Sequence, residues 1–325
     1  MLTDLTIAIV NWNGGDLVRK CLRSIGRFPP RVPHDVVVVD NASSDGSVEW
    51  LTSVEARQTA GGAPLRVIEN RTNVGFSRAN NQVFAQTESP LVLLLNADTE
   101  VQAGSLDTLV ETIRSDTRIG VCGPRLLDPD GSLQPSVYRN PATPWEILTG
   151  GFKLYSAFPT TFRARCLLGQ HWDHSYRRDV NFVSGAAMMV RRDVIQDVGG
   201  MDERFPFYGE DIEWCLRIRR AGWKIVFDPS ATIMHCGGVF SLYRWRQQDK
   251  LRSYNQAMLL CWKLSLPRWH AVANALASCL VFGIHVASRR IRRQSVEDLE
   301  MLFDLYSSTL RGWLTPGSHA AEELT

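Results

Sequence analysis

The run Leu91-Val92-Leu93-Leu94-Leu95-Asn96-Ala97-Asp98 decides the fold. Its unbroken apolar character implies a strand buried on both faces, as in a parallel sheet covered by helices. The strand ends in a carboxylate. Upstream, residues 5–10 form an apolar, β-branched run, followed by Asn11-Trp12-Asn13-Gly14-Gly15 and a helical pattern through Leu17, Val18, Cys21, Leu22 and Ile25. Residues 36–39 are four valines ending in Asp40, and the polar cluster 41–47 can cap the helix suggested by Val48, Leu51 and Val54. A further strand is predicted at 65–68. The fold class is therefore α/β, with a Rossmann-like, mostly parallel central sheet flanked by helices.

In such sheets ligands bind at the carboxyl ends of the strands, beside helix N-termini. Asn11, Asp40, Asn70 and Asn96 all lie at or just beyond strand ends. Capping and turn chemistry accounts for any one of them alone. Four at one edge point to a nucleotide-type crevice.

Downstream of Asp98 the pattern is less regular. Residues 131–176 are rich in Pro and aromatics without a clear period, and read as loops of a second lobe. Residues 182–190 read as a strand whose central small residues, Gly185 among them, let a ligand or backbone approach closely. The aromatic loop 205–208 precedes Gly209-Glu210-Asp211, which opens a helix with a stop at Gly222. Residues 223–227 and 232–235 read as two short strands around an Asp228-Pro229 turn.

The composition narrows the function classes. With 325 residues, 44% apolar and 22% charged, the chain is neither disordered nor collagen-like nor a polytopic membrane protein. Lys and Arg number 36 against 34 acids, a net +2 that argues against nucleic acid as the partner. The seven cysteines contain no C-x-x-C pair, so neither a zinc site nor a disulfide framework is expected. Met1 to Asp4 run almost directly into a strand, and a leaderless, cytosolic protein is the expectation.

The last part of the chain differs in charge. Between residues 241 and 293 ten Lys or Arg stand against one acid, and from 294 onward six acids stand against one Arg. Residues 271–287 are uncharged and mostly apolar, and Arg268 and Arg289-Arg290-Ile291-Arg292-Arg293 flank them. A buried core helix would have this composition. The arginine flanks favour a helix lying on or dipping into an anionic membrane face, where each basic residue contributes on the order of 1 kcal/mol.

Three groups are suited to chemistry. Asp98, at a strand end beside the crevice, is suited to hold a divalent cation that bridges phosphates, because Mg2+ and Mn2+ take hard oxygen ligands. Glu210 and Asp211 sit at a helix N-terminus, where the dipole favours ionised acids, and either could take a proton from a hydroxyl. Phe205, Pro206, Phe207 and Tyr208 could form an apolar wall for a sugar ring. His235, at a strand end, is a structural residue or a further ligand to a cation held by Asp98.

In their order, Val10-Asn11-Trp12-Asn13, residues 39–47, residues 73–81, Leu95-Asn96-Ala97-Asp98, Ser184-Gly185-Ala186 and Gly209-Glu210-Asp211 resemble family 2 glycosyltransferases of the GT-A fold, and within them the bacterial rhamnosyltransferase-like branch. The resemblance spans residues 5–238. It implies that Asp40 hydrogen-bonds the pyrimidine base of the donor, with Asn11 and Trp12 completing the nucleoside cradle. Asn73, Gly75 and Arg78 would position nucleotide and phosphate. Asp98 matches the last position of the family's D-x-D element, whose first position is Asn96 here, and His235 sits where some relatives supply a further metal ligand. Asp211 would be the catalytic base, with Gly185, Tyr208 and Glu210 on the acceptor side.

The activity so implied is inverting and metal-dependent, with Mg2+ or Mn2+ as cofactor. It transfers a sugar, rhamnose from dTDP-rhamnose by the branch resemblance, to a saccharide acceptor that the basic C-terminal region suggests is polyprenyl-linked. The enzyme would sit peripherally on the inner face of the plasma membrane and serve cell-surface polysaccharide synthesis. UDP-linked hexoses or galactofuranose are alternative donors, and a non-catalytic sugar-nucleotide or glycan binding module is the alternative role. Residues 1–130 would form the donor half of the GT-A domain, 131–240 the acceptor half and 241–325 a helical appendage. A dinucleotide-dependent oxidoreductase is excluded by Asn13-Gly14-Gly15, which lacks the G-x-G-x-x-G turn. A nucleotidyltransferase would need basic residues in the same loop.

Overall fold

The computed structural model describes residues 3–134, 136–137, 143–152, 174–205, 208–236 and 247–315. The chain divides into two compact units. The first comprises Met1–Tyr138, Asp173–Pro206 and Glu210–Tyr243, and the second Arg139–Trp172, Phe207–Gly209 and Arg244–Thr325.

The first unit is built on one ten-stranded sheet. Its parallel half contains β1 (Leu5–Asn11), β2 (His34–Asp40), β3 (Leu65–Glu69) and β4 (Leu91–Asn96), in the order β3-β2-β1-β4. Strand alternation sends Ile7, Ile9, Val36, Val38, Leu93 and Leu95 to one face, where α1 (Asp16–Arg27) and α5 (Ser105–Arg114) cover them. Ala8, Val37, Val39, Val92 and Leu94 point to the other face, under α4 (Phe76–Gln86) and α8 (Glu210–Arg220). Both faces are dry along β1, β2 and β4, which is why these strands read as apolar runs, whereas the edge strand β3 exposes Arg66 and Glu69. Two short helices, α2 (Ser47–Leu51) and α3 (Val54–Thr59), follow β2.

Beyond β4 the sheet turns antiparallel. β9 (Ala187–Arg191) lies between β4 and β6 (Ile119–Leu127) and runs against both. The strand expected over 182–190 thus begins only at Ala187. Residues 184–186 form a turn, in which the Ala187 N–H donates to the Ser184 carbonyl.

The two short strands expected around Asp228-Pro229 are one, β10 (Lys224–His235). It runs parallel to β6 through a register irregularity between Asp228 and Thr232, then pairs antiparallel with β5 (Thr99–Val101). The proline is absorbed because Asp228 accepts the Ser230 N–H at 3.0 Å and the Thr112 hydroxyl at 2.7 Å. As a result, His235 comes to lie beside Thr99, next to the end of β4. Two small strands complete the sheet: β7 (Leu133–Gln134) on β6 and β8 (Arg178–Val180) on β10. α7 (Arg192–Val198) follows β9.

The second unit is helical: α6 (Pro144–Gly151), α9 (Gln247–Ser265), α10 (Arg268–Ile291) and α11 (Glu297–Leu314). A capping box between Thr143 and Glu146 starts α6. The core gathers Leu259, Trp262, Ala271, Ala275 and Tyr306, and the Tyr306 hydroxyl donates to Asn255 Oδ1 at 2.8 Å. α10 is longer than its uncharged stretch suggested, and large apolar residues lie on both of its faces. Ala271, Asn274, Ala275, Ala277, Ser278 and Val281 are buried and Phe282 packs on the core, while Trp269, Leu276, Leu280, Ile284 and Ile291 are exposed. Among the described residues α10 is the one helix long and apolar enough to cross a membrane, with 33% of its apolar window buried.

Candidate active site

The parallel half of the sheet aligns its polar strand ends. Register pairs Asn11 with Asp40 and Val10 with Asn96. Asn11 Nδ2 donates to Asp40 Oδ2 at 2.7 Å, and the Ser43 hydroxyl and N–H donate to the same carboxylate at 2.6 and 2.8 Å. Asp40 is buried, with both oxygens taken by the chain's own donors, and Asn11 Oδ1 is a buried acceptor without a hydrogen-bond partner among the described residues. In this arrangement Asp40 fixes Asn11 and the loop at Ser43, and Trp12 follows half-buried.

The next block opens α4. Asn73 Oδ1 accepts the N–H of Gly75, whose φ of +85° favours glycine. Arg78, on the first turn, is largely exposed and lies 3.8 Å from Glu203. A surface pair of this kind contributes little to stability, so the guanidinium is available to a phosphate or base.

Asp98 and His235 come together. Asp98 Oδ1 is 3.3 Å from His235 Nε2, and Asn96 Nδ2 is also 3.3 Å from that nitrogen. Among the described residues no three His, Cys, Asp or Glu side chains converge, so a cation here would take Asp98 and His235 and complete its shell with phosphate oxygens and water. One hard carboxylate and one imidazole nitrogen suit Mn2+ better than Mg2+, which takes oxygen ligands, and Asn96 at the replaced D-x-D position turns its Nδ2 toward His235.

The second carboxylate is tied to the same strand end. The Asn96 N–H donates to the Ala186 carbonyl at 2.9 Å, and the neighbouring Gly185 N–H donates to Asp211 Oδ2 at 2.9 Å. The Ile212 N–H donates to Asp211 Oδ1, also at 2.9 Å. Burial raises the Asp211 carboxyl above its ordinary value, and these two amides oppose that rise.

Glu210 has less support, a backbone hydrogen bond from its own N–H. It is buried, its Oε2 lacks a hydrogen-bond partner among the described residues, and burial followed by the Asp211 charge pushes it up to about 8. The two amide donors favour the charged form of Asp211, and Glu210, whose Oε2 lacks a partner among the described residues, is the member of the pair that keeps a proton more readily.

The expected aromatic wall is only partly there. Phe205 is buried in the first unit, where its carbonyl accepts from Ser77, so it cannot face a sugar. Tyr208 belongs to the second unit and packs edge-on against Tyr254 at 6.0 Å between ring centres, with a φ of +67°. Pro206 and Phe207 lie outside the described residues. Two contributors were missed in the sequence: Ser43, which accepts and donates around Asp40, and Gln134, whose Oε1 is 2.6 Å from His235 Nδ1. Nothing local in the sequence marks Gln134, since its contact follows from a hairpin.

Comparison with known proteins identifies the family and the fold. Residues 6–199 match the model of glycosyl transferase family 2. The chain is 29% identical over 249 residues to N-acetylglucosaminyl-diphospho-decaprenol L-rhamnosyltransferase of Mycobacterium tuberculosis, covering 72% of this chain and 76% of that protein. Its fold is similar to that of GalNAc-T7 solved with UDP, GalNAc and Mn2+ (TM-score 0.59, 16% identity, 94% of this chain and 55% of that one). It is equally similar to S. aureus TarS 1-349 in complex with UDP-GlcNAc (TM-score 0.59, 13% identity, 96% and 82%). The fold is GT-A, with C-terminal helices added. The chain is a glycosyltransferase and belongs to glycosyl transferase family 2.

Proposed function

We propose that this protein is an inverting, metal-dependent glycosyltransferase that moves a hexosyl unit, rhamnose from dTDP-rhamnose as the first choice, onto a lipid-linked saccharide in cell-surface polysaccharide synthesis. One observation carries this reading. A continuous set of contacts, Asp98 to His235 to Asn96 and then through Ala186 and Gly185 to Asp211, joins a cation-holding carboxylate to a base at one strand end.

The division of labour follows from the chemistry of each group. Asn11, Trp12, Asn73, Gly75 and Arg78 hold the nucleoside diphosphate, with Asp40 keeping the cradle in shape. Asp98 and His235 hold the divalent cation, which when bound stabilises the departing diphosphate charge. Asp211 takes the proton of the acceptor hydroxyl as that oxygen attacks the anomeric carbon from the face opposite the leaving group. Neutral Glu210 keeps a second negative charge away from Asp211 and is suited to donate a hydrogen bond to the acceptor. Gly185 completes the acceptor side.

The donor choice rests on the mycobacterial relative's name, which specifies an L-rhamnosyltransferase of a diphospho-decaprenol saccharide. The UDP and UDP-GlcNAc held by the fold neighbours favour a UDP-hexose as the second choice. The exposed Leu276, Leu280 and Ile284 of α10, with Arg289, Arg292 and Arg293 at its end, support residence at the inner face of the plasma membrane beside such an acceptor. Residues 1–130 would be the donor half, 131–240 the acceptor half and 241–325 the membrane-facing appendage.

A thermal-shift screen of dTDP-rhamnose, UDP-hexoses and UDP-galactofuranose, with Mn2+ or with EDTA, tests the reading. A donor that stabilises the fold only with metal, at 100 times its dissociation constant by about 2.7 kcal/mol, is the expected result. Equal stabilisation in EDTA would remove the cation from the account.

A further inference from the structure

The hairpin of β6 and β7 carries a residue that the family reading leaves without a role. Gln134 pairs across to Leu126, and the turn that returns it is closed by the Gly131 N–H to Asp128 carbonyl bond at 2.8 Å. The orientation of the Gln134 amide is fixed by its neighbours. Its Nε2 donates to Asp128 Oδ1 at 2.7 Å and to the His235 carbonyl at 3.3 Å, and both of these groups can only accept. The Oε1 end therefore faces His235 Nδ1, at 2.6 Å, and the contact is a hydrogen bond only if that nitrogen carries the proton.

We propose that Gln134 is a positioning residue for the cation site: its side-chain oxygen keeps the His235 proton on Nδ1 and so turns the Nε2 lone pair toward Asp98. This rests on the metal reading above. The imidazole acts as a ligand only through an unprotonated nitrogen, and the nitrogen left unprotonated is decided by the bond the other makes. Asp98 taken alone would favour the opposite tautomer, because an N–H on Nε2 could donate to its carboxylate at 3.3 Å, whereas the Asn96 Nδ2 donor, 3.3 Å from the same nitrogen, favours the tautomer that Gln134 selects. Asp128 anchors Gln134 against that pull. Here a neutral amide takes the place that a carboxylate occupies behind many metal-bound histidines, which orients the ring without adding charge to a site that already receives a diphosphate.

The test is Mn2+ affinity, read from the electron paramagnetic resonance of free Mn2+ with UDP present, in wild-type protein, in Gln134→Met and in the exchanged pair Gln134→Glu with Asp128→Asn. The exchange keeps an oxygen facing Nδ1 and a donor at position 128 facing position 134. Binding about tenfold or more weaker in Gln134→Met, with the exchanged pair within about threefold of wild type, is expected. Unchanged binding in Gln134→Met, or equal weakening in both, overturns the proposal while leaving the metal site in place. Absence of Mn2+ binding in wild type would overturn the metal reading itself. Should Gln134→Met fail to fold, the long-range proton–nitrogen NMR spectrum of wild-type His235 with Mg2+ and UDP decides: a proton on Nδ1 supports the assignment, and one on Nε2 contradicts it.

Discussion

The backbone N–H of Gly185 meets Oδ2 of Asp211 at 2.9 Å, one residue from the carbonyl that receives Asn96. The turn before β9 thereby holds Asp211, the proposed base, at the end of β4, the strand that also leads to Asp98. An amide donor stabilises the charged carboxylate and fixes its angle.

Asp211→Asn removes the basic oxygen but retains the size of the side chain and one acceptor for the Gly185 amide. Turnover is expected to fall by about 10²–10⁴-fold, the usual contribution of a positioned base. Nucleotide affinity, measured by calorimetry, should stay within about threefold.

Glu210 makes stability depend on pH in a defined direction. The folded chain binds the Glu210 proton more tightly than the unfolded chain, so this contribution is full below the ordinary value of 4.5 and is lost as pH rises toward about 8. Glu210→Gln stays neutral at every pH. Its melting temperature should match wild type near pH 4.5 and exceed it above pH 8 by a few degrees, about 2–4 °C for each kcal/mol.

Asp40 is buried and receives three hydrogen bonds, from Asn11 and twice from Ser43. Asp40→Ala leaves these donors unpaired in a dry place. A loss of about 2–4 kcal/mol in unfolding free energy is expected by chemical denaturation, together with loss of nucleotide binding. Asp40→Asn should lose less stability, because one acceptor remains.

The outward face of α10 predicts a membrane effect separable from folding. Leu276 and Leu280 are both about half exposed, at 51% and 52%. Replacing the two with Glu should abolish sedimentation with anionic vesicles, yet shift the melting temperature by less than about 2 °C, since exposed positions contribute little to the fold. Co-sedimentation equal to wild type would remove α10 from the membrane contact.

Much of this architecture is legible in the sequence because it is local. The four valines before Asp40, the leucines before Asn96 and the carboxylates at 98 and 211 each sit at an element boundary, where periodicity changes and polar residues gather. The remainder depends on distant partners. β9 pairs antiparallel with β4 and β6, two strands far from it in the chain, and β10 continues through Pro229 because Asp228 is held by Thr112. Residue identity alone likewise could not show that Asp40 would be enclosed by Asn11 and Ser43, or that Gln134 would reach His235 through a hairpin.

The central claim is that Asp98 and Asp211 act on one reacting centre, and diffraction from crystals grown with UDP and Mn2+, recorded at the manganese absorption edge, tests it most directly. The account predicts an anomalous peak bonded to Asp98 and His235 and to the diphosphate, with the Asp211 carboxylate opening onto the same cavity. A peak held by other residues, or an Asp211 side chain walled off from the nucleotide, would contradict it.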